Sequence, residues 1–284
     1  MSEALRQLVS AELSREVDPG VQRLAQVLAR RPAVAAILFY GNRLRAPGAE
    51  GLADLYVLTD ADAAYHGAGL AAIANRLLPP NVYHVAPADA AAGKVAVMRL
   101  AAFRARMRPF SWDTTLWARF TQPAALLYAR DEAARAQVEA ALAAAWRTAA
   151  YWADRLSDGR ERWTALFAET YGAELRVEGG ARPADIRAAA PDFYDRIDGL
   201  LPPRRYDGAE RRRARRVWGW RQRAGRGLNA LRLVKAAFTF RGSRGYVISK
   251  IERHAGPLPA WQRRAVWLAA PAIILRLILR RRPR

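Results

Sequence analysis

The chain contains no cysteine and only three histidines, His66, His84 and His254. The first absence excludes disulfides, thiolate zinc sites and cysteine nucleophiles, and the second argues against a histidine-rich metal centre. Long apolar runs are missing too. No stretch reaches the roughly 20 residues that a membrane-spanning helix needs. Met1-Ser2-Glu3-Ala4 leads into a charged amphipathic stretch, so no secretory signal is expected, and a reducing cytoplasm fits the composition. Acids are also short, but only locally. Residues 201–284 hold 23 Lys+Arg against three acids, Asp207, Glu210 and Glu252, a balance of +20 in a chain whose net charge is +21. A GC-rich genome would raise arginine everywhere, yet the first two thirds are close to neutral. The last third therefore implies an anionic partner, either nucleic acid or an acidic membrane surface.

What is present suits a folded protein. A length of 284 residues with 52% hydrophobic and 10% aromatic content is enough for one large or two small globular domains. Residues 3–31 read as two helices broken at Asp18-Pro19-Gly20. Residues 34–40, 53–59, 81–86, 94–100 and 124–128 read as strands. Residues 68–78, 112–120 and 132–156 read as helices, the last rich in alanine. From 158 to 203 the pattern is mostly helical, interrupted at Gly179-Gly180, with Pro202-Pro203 as a linker. Beyond lie a basic run at 211–216 and an amphipathic stretch at 228–240. The expected fold is α+β, bordering on α/β, with a small mixed sheet at 1–135, a mostly helical unit at 136–203 and a basic segment at 204–284.

Residues 261–282 predict a basic amphipathic C-terminal helix. Ala265–Leu275 is apolar apart from the Trp267 indole, Trp261 lies near the start, and Arg276 and Arg280-Arg281-Arg282 follow. This pattern suits a helix lying in the headgroup region of an anionic membrane, where each arginine contributes about 1 kcal/mol. Packing on the protein, or joining two copies as a homodimer, are the alternatives left open.

The most informative local pattern is Leu38-Phe39-Tyr40-Gly41-Asn42-Arg43, then Leu52-Ala53-Asp54-Leu55-Tyr56-Val57-Leu58. It reads as strand, glycine turn, loop, and a second strand carrying an acid. A glycine lets backbone N–H groups approach phosphate closely, and a carboxylate on a nearby strand supplies hard oxygen ligands for Mg²⁺. The plain alternative is a hairpin with one surface acid. Asp54 shares a strand face with Tyr56. Asp60 and Asp62, after the strand, are weaker candidates for a second ligand. Arg43 and Arg45 are placed to meet phosphate or to sit in a solvated loop. Lys94 opens a strand, where lysine has low propensity unless it lies at an edge or in a site, and is assigned to phosphate neutralisation.

This layout is similar to that of polymerase-beta-type nucleotidyltransferases, in which a Gly-Ser turn holds the triphosphate and an Asp-x-Asp strand holds Mg²⁺. Read along most of its length, the chain resembles the mitochondrial-type phosphatidate cytidylyltransferases. Tyr40-Gly41-Asn42 matches their Tyr-Gly-Ser turn, and Ala53-Asp54-Leu55-Tyr56 their Val-Asp-hydrophobic strand. Tyr65-His66 matches an aromatic-His pair, Asn81-Val82-Tyr83 an asparagine-tyrosine strand, and Lys94-Val95-Ala96-Val97-Met98 a Lys-Tyr-Gly-Val-Ile strand. Residues 112–123 resemble a Trp…Leu-Tyr-x-x-Gly-Arg-Leu-x-Lys-Pro segment, 171–176 a Tyr-x-x-Asp-Phe-Arg segment, and 235–241 a Lys-Gly-x-x-Thr-Ala-Gly segment. The departures are Asn42 for serine, Gln122 for lysine, and a loop of its own length before Asp54. They suggest a bacterial relative.

The resemblance implies a Mg²⁺-dependent transfer from CTP to phosphatidic acid by a peripheral protein on the inner face of the cell membrane. Asp54 and Lys94 become the catalytic candidates, with Asp54 also the metal ligand. Gly41, Asn42, Arg43, His66, Arg119, Tyr171, Arg176 and Lys235 become substrate ligands. Several keep a structural alternative: a helix cap for His66, snorkelling for Arg119, pairing with Glu174 for Arg176, and a solvated cation for Lys235. A nucleotidyltransferase acting on RNA or a soluble acceptor, and a non-catalytic binding protein on the same scaffold, are the competing readings. Nucleic acid is the less expected partner, because RNA has no need of a hydrophobic run between arginines.

Overall fold

A computed structural model of the protein describes residues 2–46, 48–49, 51–173 and 182–239. The expected C-terminal helix at 261–282 and the candidate ligand Arg176 lie outside the described residues. Helices α1 (Glu3–Leu13) and α2 (Pro19–Ala29) lead into β1 (Val34–Tyr40), α3 (Asn42–Arg45) and β2 (Ala53–Thr59). There follow α4 (Asp62–His66), α5 (Leu70–Leu77), β3 (Asn81–Val85), β4 (Gly93–Arg99), α6 (Leu100–Arg106), α7 (Thr114–Arg119) and β5 (Ala124–Ala129). The described chain closes with α8 (Glu132–Leu156), α9 (Arg162–Gly172), α10 (Arg182–Ala188), α11 (Pro191–Leu200) and α12 (Gly208–Thr239).

Local chemistry explains the boundaries. Asp18-Pro19-Gly20, expected as a helix break, is the start of α2: the Asp18 carboxylate accepts from the Val21 N–H at 3.1 Å, and Pro19 needs no partner for the N–H it lacks. Val21, Leu24, Ala25 and Leu28 then bury one stripe. The turn after Gly41, expected as loop, winds into the single helical turn of α3. The alanine-rich α8 is capped by Asp131, which accepts from the Ala134 N–H at 2.7 Å.

The fold is α+β around one five-stranded mixed sheet of order β3-β4-β2-β1-β5. Only β2 and β4 run parallel; β1 pairs antiparallel with β2 and β5, and β3 with β4. The central strands alternate between two cores. Leu55, Val57, Val95 and Val97 join the cluster beneath α2, whereas Tyr56, Leu58, Ala96 and Met98 join a larger cluster shared with α1, α6, α7 and α8.

That larger cluster continues without a break into Leu166, Phe167, Phe193, Tyr194 and Trp218. The expected boundary at residue 135 falls inside α8, whose buried face packs on the sheet and on α9. The expected linker at Pro202-Pro203 is tied down on both sides, by the Leu201 carbonyl accepting from Arg162 at 2.6 Å and the Arg204 N–H donating to Asp154 at 3.2 Å. The basic run and the amphipathic stretch of the last third are one helix, α12. Among the described residues no helix is long and apolar enough to cross a membrane.

Candidate functional site

One row of the sheet gathers several of the residues the sequence singles out. Tyr40 pairs with Asp54 across β1 and β2, Asp54 with Lys94 across β2 and β4, and Lys94 with His84 across β4 and β3. Cross-strand partners point to the same face, and here it is the face of the larger cluster, because Tyr56 lies two positions beyond Asp54. Strands are about 4.8 Å apart, so a carboxylate and an ammonium on neighbouring strands can meet one ligand. Asp54 and Tyr40 are half-buried, while Lys94 and His84 are exposed at the rim. His84 was no candidate in the sequence. Only the register of the β3–β4 hairpin puts it opposite Lys94.

Gly41 closes this row. Its φ of 95° lies in the left-handed region that disfavours side chains. A Cβ there would come within 2.9 Å of Asp54 Oδ2, so the turn passes directly against the carboxylate. Asn42 and Arg43 begin α3, and the first N–H groups of a helix are those without an internal acceptor. The loop arginines then diverge. Arg45 Nη1 donates to Gln122 Oε1 at 2.7 Å, whereas Arg43 turns to the Gly51 carbonyl at 3.3 Å and Asp18 at 3.9 Å. Gln122 thus supplies an acceptor that holds Arg45.

Arg119, at the end of α7, reaches the same face. Its Nη1 donates to the Tyr56 hydroxyl at 3.1 Å, and its guanidinium stands 5.5 Å from the centre of the Tyr40 ring. Burial pushes the Tyr56 phenol up, with Arg119 and Arg232 opposing. Tyr56, two positions beyond Asp54, holds an arginine beside the Asp54 row. Tyr171, on α9, is half-buried against the larger cluster.

Other candidates lie elsewhere. His66 Nδ1 meets the Tyr83 hydroxyl at 2.8 Å, and Tyr83 packs on the smaller cluster, so His66 is on the opposite face of the sheet from Asp54. Burial lowers the imidazole pKa below its usual range, and its Nε2 is buried without a hydrogen-bond partner among the described residues. Lys235 donates to the carbonyls of Leu78 at 2.5 Å and Pro80 at 2.7 Å, joining α12 to the start of β3. Burial pushes its ammonium down to about 8, with Arg232 adding to the effect. Asp60 pairs with Arg130, and Asp62 with Asn75 and Arg99, at the far end of β2, roughly 20 Å from Asp54.

Asp54 is therefore the carboxylate of this row, and no group of three His, Asp or Glu gathers among the described residues. Magnesium is commonly held by one or two carboxylates, substrate phosphates and water. A single half-buried carboxylate flanked by Lys94 and arginines fits a cation that arrives with a polyphosphate. Comparison with protein-family models and with curated proteins yields no match.

Proposed function

We propose that the chain is a cytidylyltransferase that makes CDP-diacylglycerol from CTP and phosphatidic acid, with release of pyrophosphate, at the inner face of an anionic membrane. The observation that carries this reading is the close approach of Gly41 to Asp54, with Lys94 next to Asp54 in the parallel register of β2 and β4. Backbone N–H groups of Asn42 and Arg43 would receive β and γ phosphates, and Lys94, Arg45 and Arg119 would offset their charge. Asp54 would hold Mg²⁺, which when bound neutralises charge on the leaving pyrophosphate. An oxygen of the acceptor phosphate forms a bond to the α phosphorus as the bond to the β-phosphate oxygen breaks. That acceptor is already an anion near neutral pH, so no strong general base is required. The residues mainly position two anions and screen their repulsion.

The test is pyrophosphate release from each of the four NTPs with Mg²⁺, with and without phosphatidic acid vesicles. CTP-selective, lipid-dependent turnover is the expected result. Turnover with an RNA acceptor alone would favour the reading in which the arginines of α12 bind nucleic acid. No turnover with any acceptor would leave a binding protein on this scaffold.

A further inference from the structure

Helix α12 has two faces. Ala214, Trp218, Arg221 and Gly225 are buried, while Arg216, Trp220, Arg223 and Leu231 are exposed. Trp220 is 62% exposed and Leu231 58%. The loop between α6 and α7 is clamped to this helix by Arg221, which donates to the carbonyls of Ser111 and, at 2.7 Å, Pro109. The same loop holds out Phe110, 78% exposed, and Trp112, 57% exposed. Roughly 17 Å further along α12, Arg232 and Lys235 hold the carbonyls that follow α5. Helix α5 turns Leu70, Ile73 and Leu77 outward at helical spacing.

Large apolar side chains so exposed, and attached to one helix, mark an interaction surface. The exposed charges of the loop and of the outer line of α12 are cations, while the exposed acids Asp158 and Glu210 lie at the start of the helix. Arg108, Arg216 and Arg223 are exposed, while the loop's acid, Asp113, is buried and paired with Arg106 and Arg232. The partner is therefore anionic and takes up apolar groups. Aromatic rings alone would suit stacked bases. The aliphatic stripe of α5 has no use there, whereas a bilayer accepts aromatic and aliphatic side chains together.

We propose that this strip docks on an anionic phospholipid bilayer, with Phe110 and Trp112 entering the headgroup layer and the arginines of α12 meeting lipid phosphates. The docking loop leads into α7, about 9 Å of helix that ends at Arg119. The proposal names the face that meets the membrane, and rests on the reading above only for the identity of the acceptor.

The test is co-sedimentation of the full chain with phosphatidylcholine vesicles, with and without phosphatidylglycerol, in high salt so that the apolar part dominates. Phosphatidylglycerol is not the proposed acceptor, so binding is separated from turnover. The double variant Phe110→Ser/Trp112→Ser, with an unchanged melting temperature, is expected to bind anionic vesicles at least about tenfold more weakly. Leu70→Ser/Leu77→Ser is a second variant, expected to weaken binding in the same direction. Unchanged binding of both variants would overturn the proposal, as would wild-type protein that retains RNA but no vesicles. Loop-dependent binding without any pyrophosphate release would sustain the docking face and remove the catalytic reading.

Discussion

At Gly41 a single methyl group would act on both backbone and site. The residue sits at φ 95°, and its Cβ would press on the Asp54 carboxylate. Gly41→Ala is expected to lower pyrophosphate release by roughly 100-fold, the cost of a displacement of about 1 Å in a reacting site. Asp54→Asn keeps shape and removes charge, so turnover should be lost while the melting temperature stays nearly unchanged. His66 behaves differently, because its pKa is lowered by burial. The unfolded chain then binds the proton more readily, so folding stability is fully present above the ordinary histidine value of about 6.5 and declines as pH falls below it. A melting temperature followed downward from neutral pH should show this decline in the wild type and less of it in His66→Gln. Gly41, Asp54 and Lys94 were legible because a turn and two strand starts are local patterns. The arginine-holding roles of Tyr56 and Gln122 were not, because their partners lie far away in sequence.

At the scale of elements, α8, α9 and α11 are joined by one buried guanidinium. Arg162, 6% exposed, bridges Asp154 at 2.8 Å and also Asp198, which accepts from the Trp163 indole at 2.8 Å. Arg162→Met would leave two carboxylates without their cation, and should cost about 3–5 kcal/mol in chemical denaturation. The strands were legible from alternation and apolar runs, and α8 from its alanine content. The apolar pattern of the sequence divides helix α12 into two pieces because its buried line passes through Arg221. Burial pushes that guanidinium down to about 10, and the carbonyls of Pro109 and Ser111 receive its N–H groups. Periodicity in apolar residues cannot register a helix face that buries an arginine.

For the whole molecule, a net charge of +21 concentrated beyond residue 200 makes association with anionic surfaces dependent on salt. Vesicle binding should fall as the Debye length shortens from about 10 Å at 0.1 M to about 3 Å at 1 M, then level off at a plateau set by apolar contact. The loop variant should lack the plateau, and a series of sedimentation assays at increasing salt measures both components. The boundary expected at residue 135 falls within α8, which packs both on the sheet and on α9.

The sequence by itself determined the strands, the α+β class, the charge asymmetry, and the glycine turn followed by an acid-bearing strand. Each depends on neighbours within a few residues, where periodicity and turn chemistry act directly. Only the tertiary structure decided which of the candidates meet. The parallel register of β2 and β4 put Lys94 beside Asp54 and brought His84 into the same row, while the alternation of β3 carried Tyr83, and with it His66, to the opposite face. Lys235 went to the turn at Pro80 for a similar reason. Sheet order and helix docking are fixed by long-range burial, and no spacing along the chain encodes them.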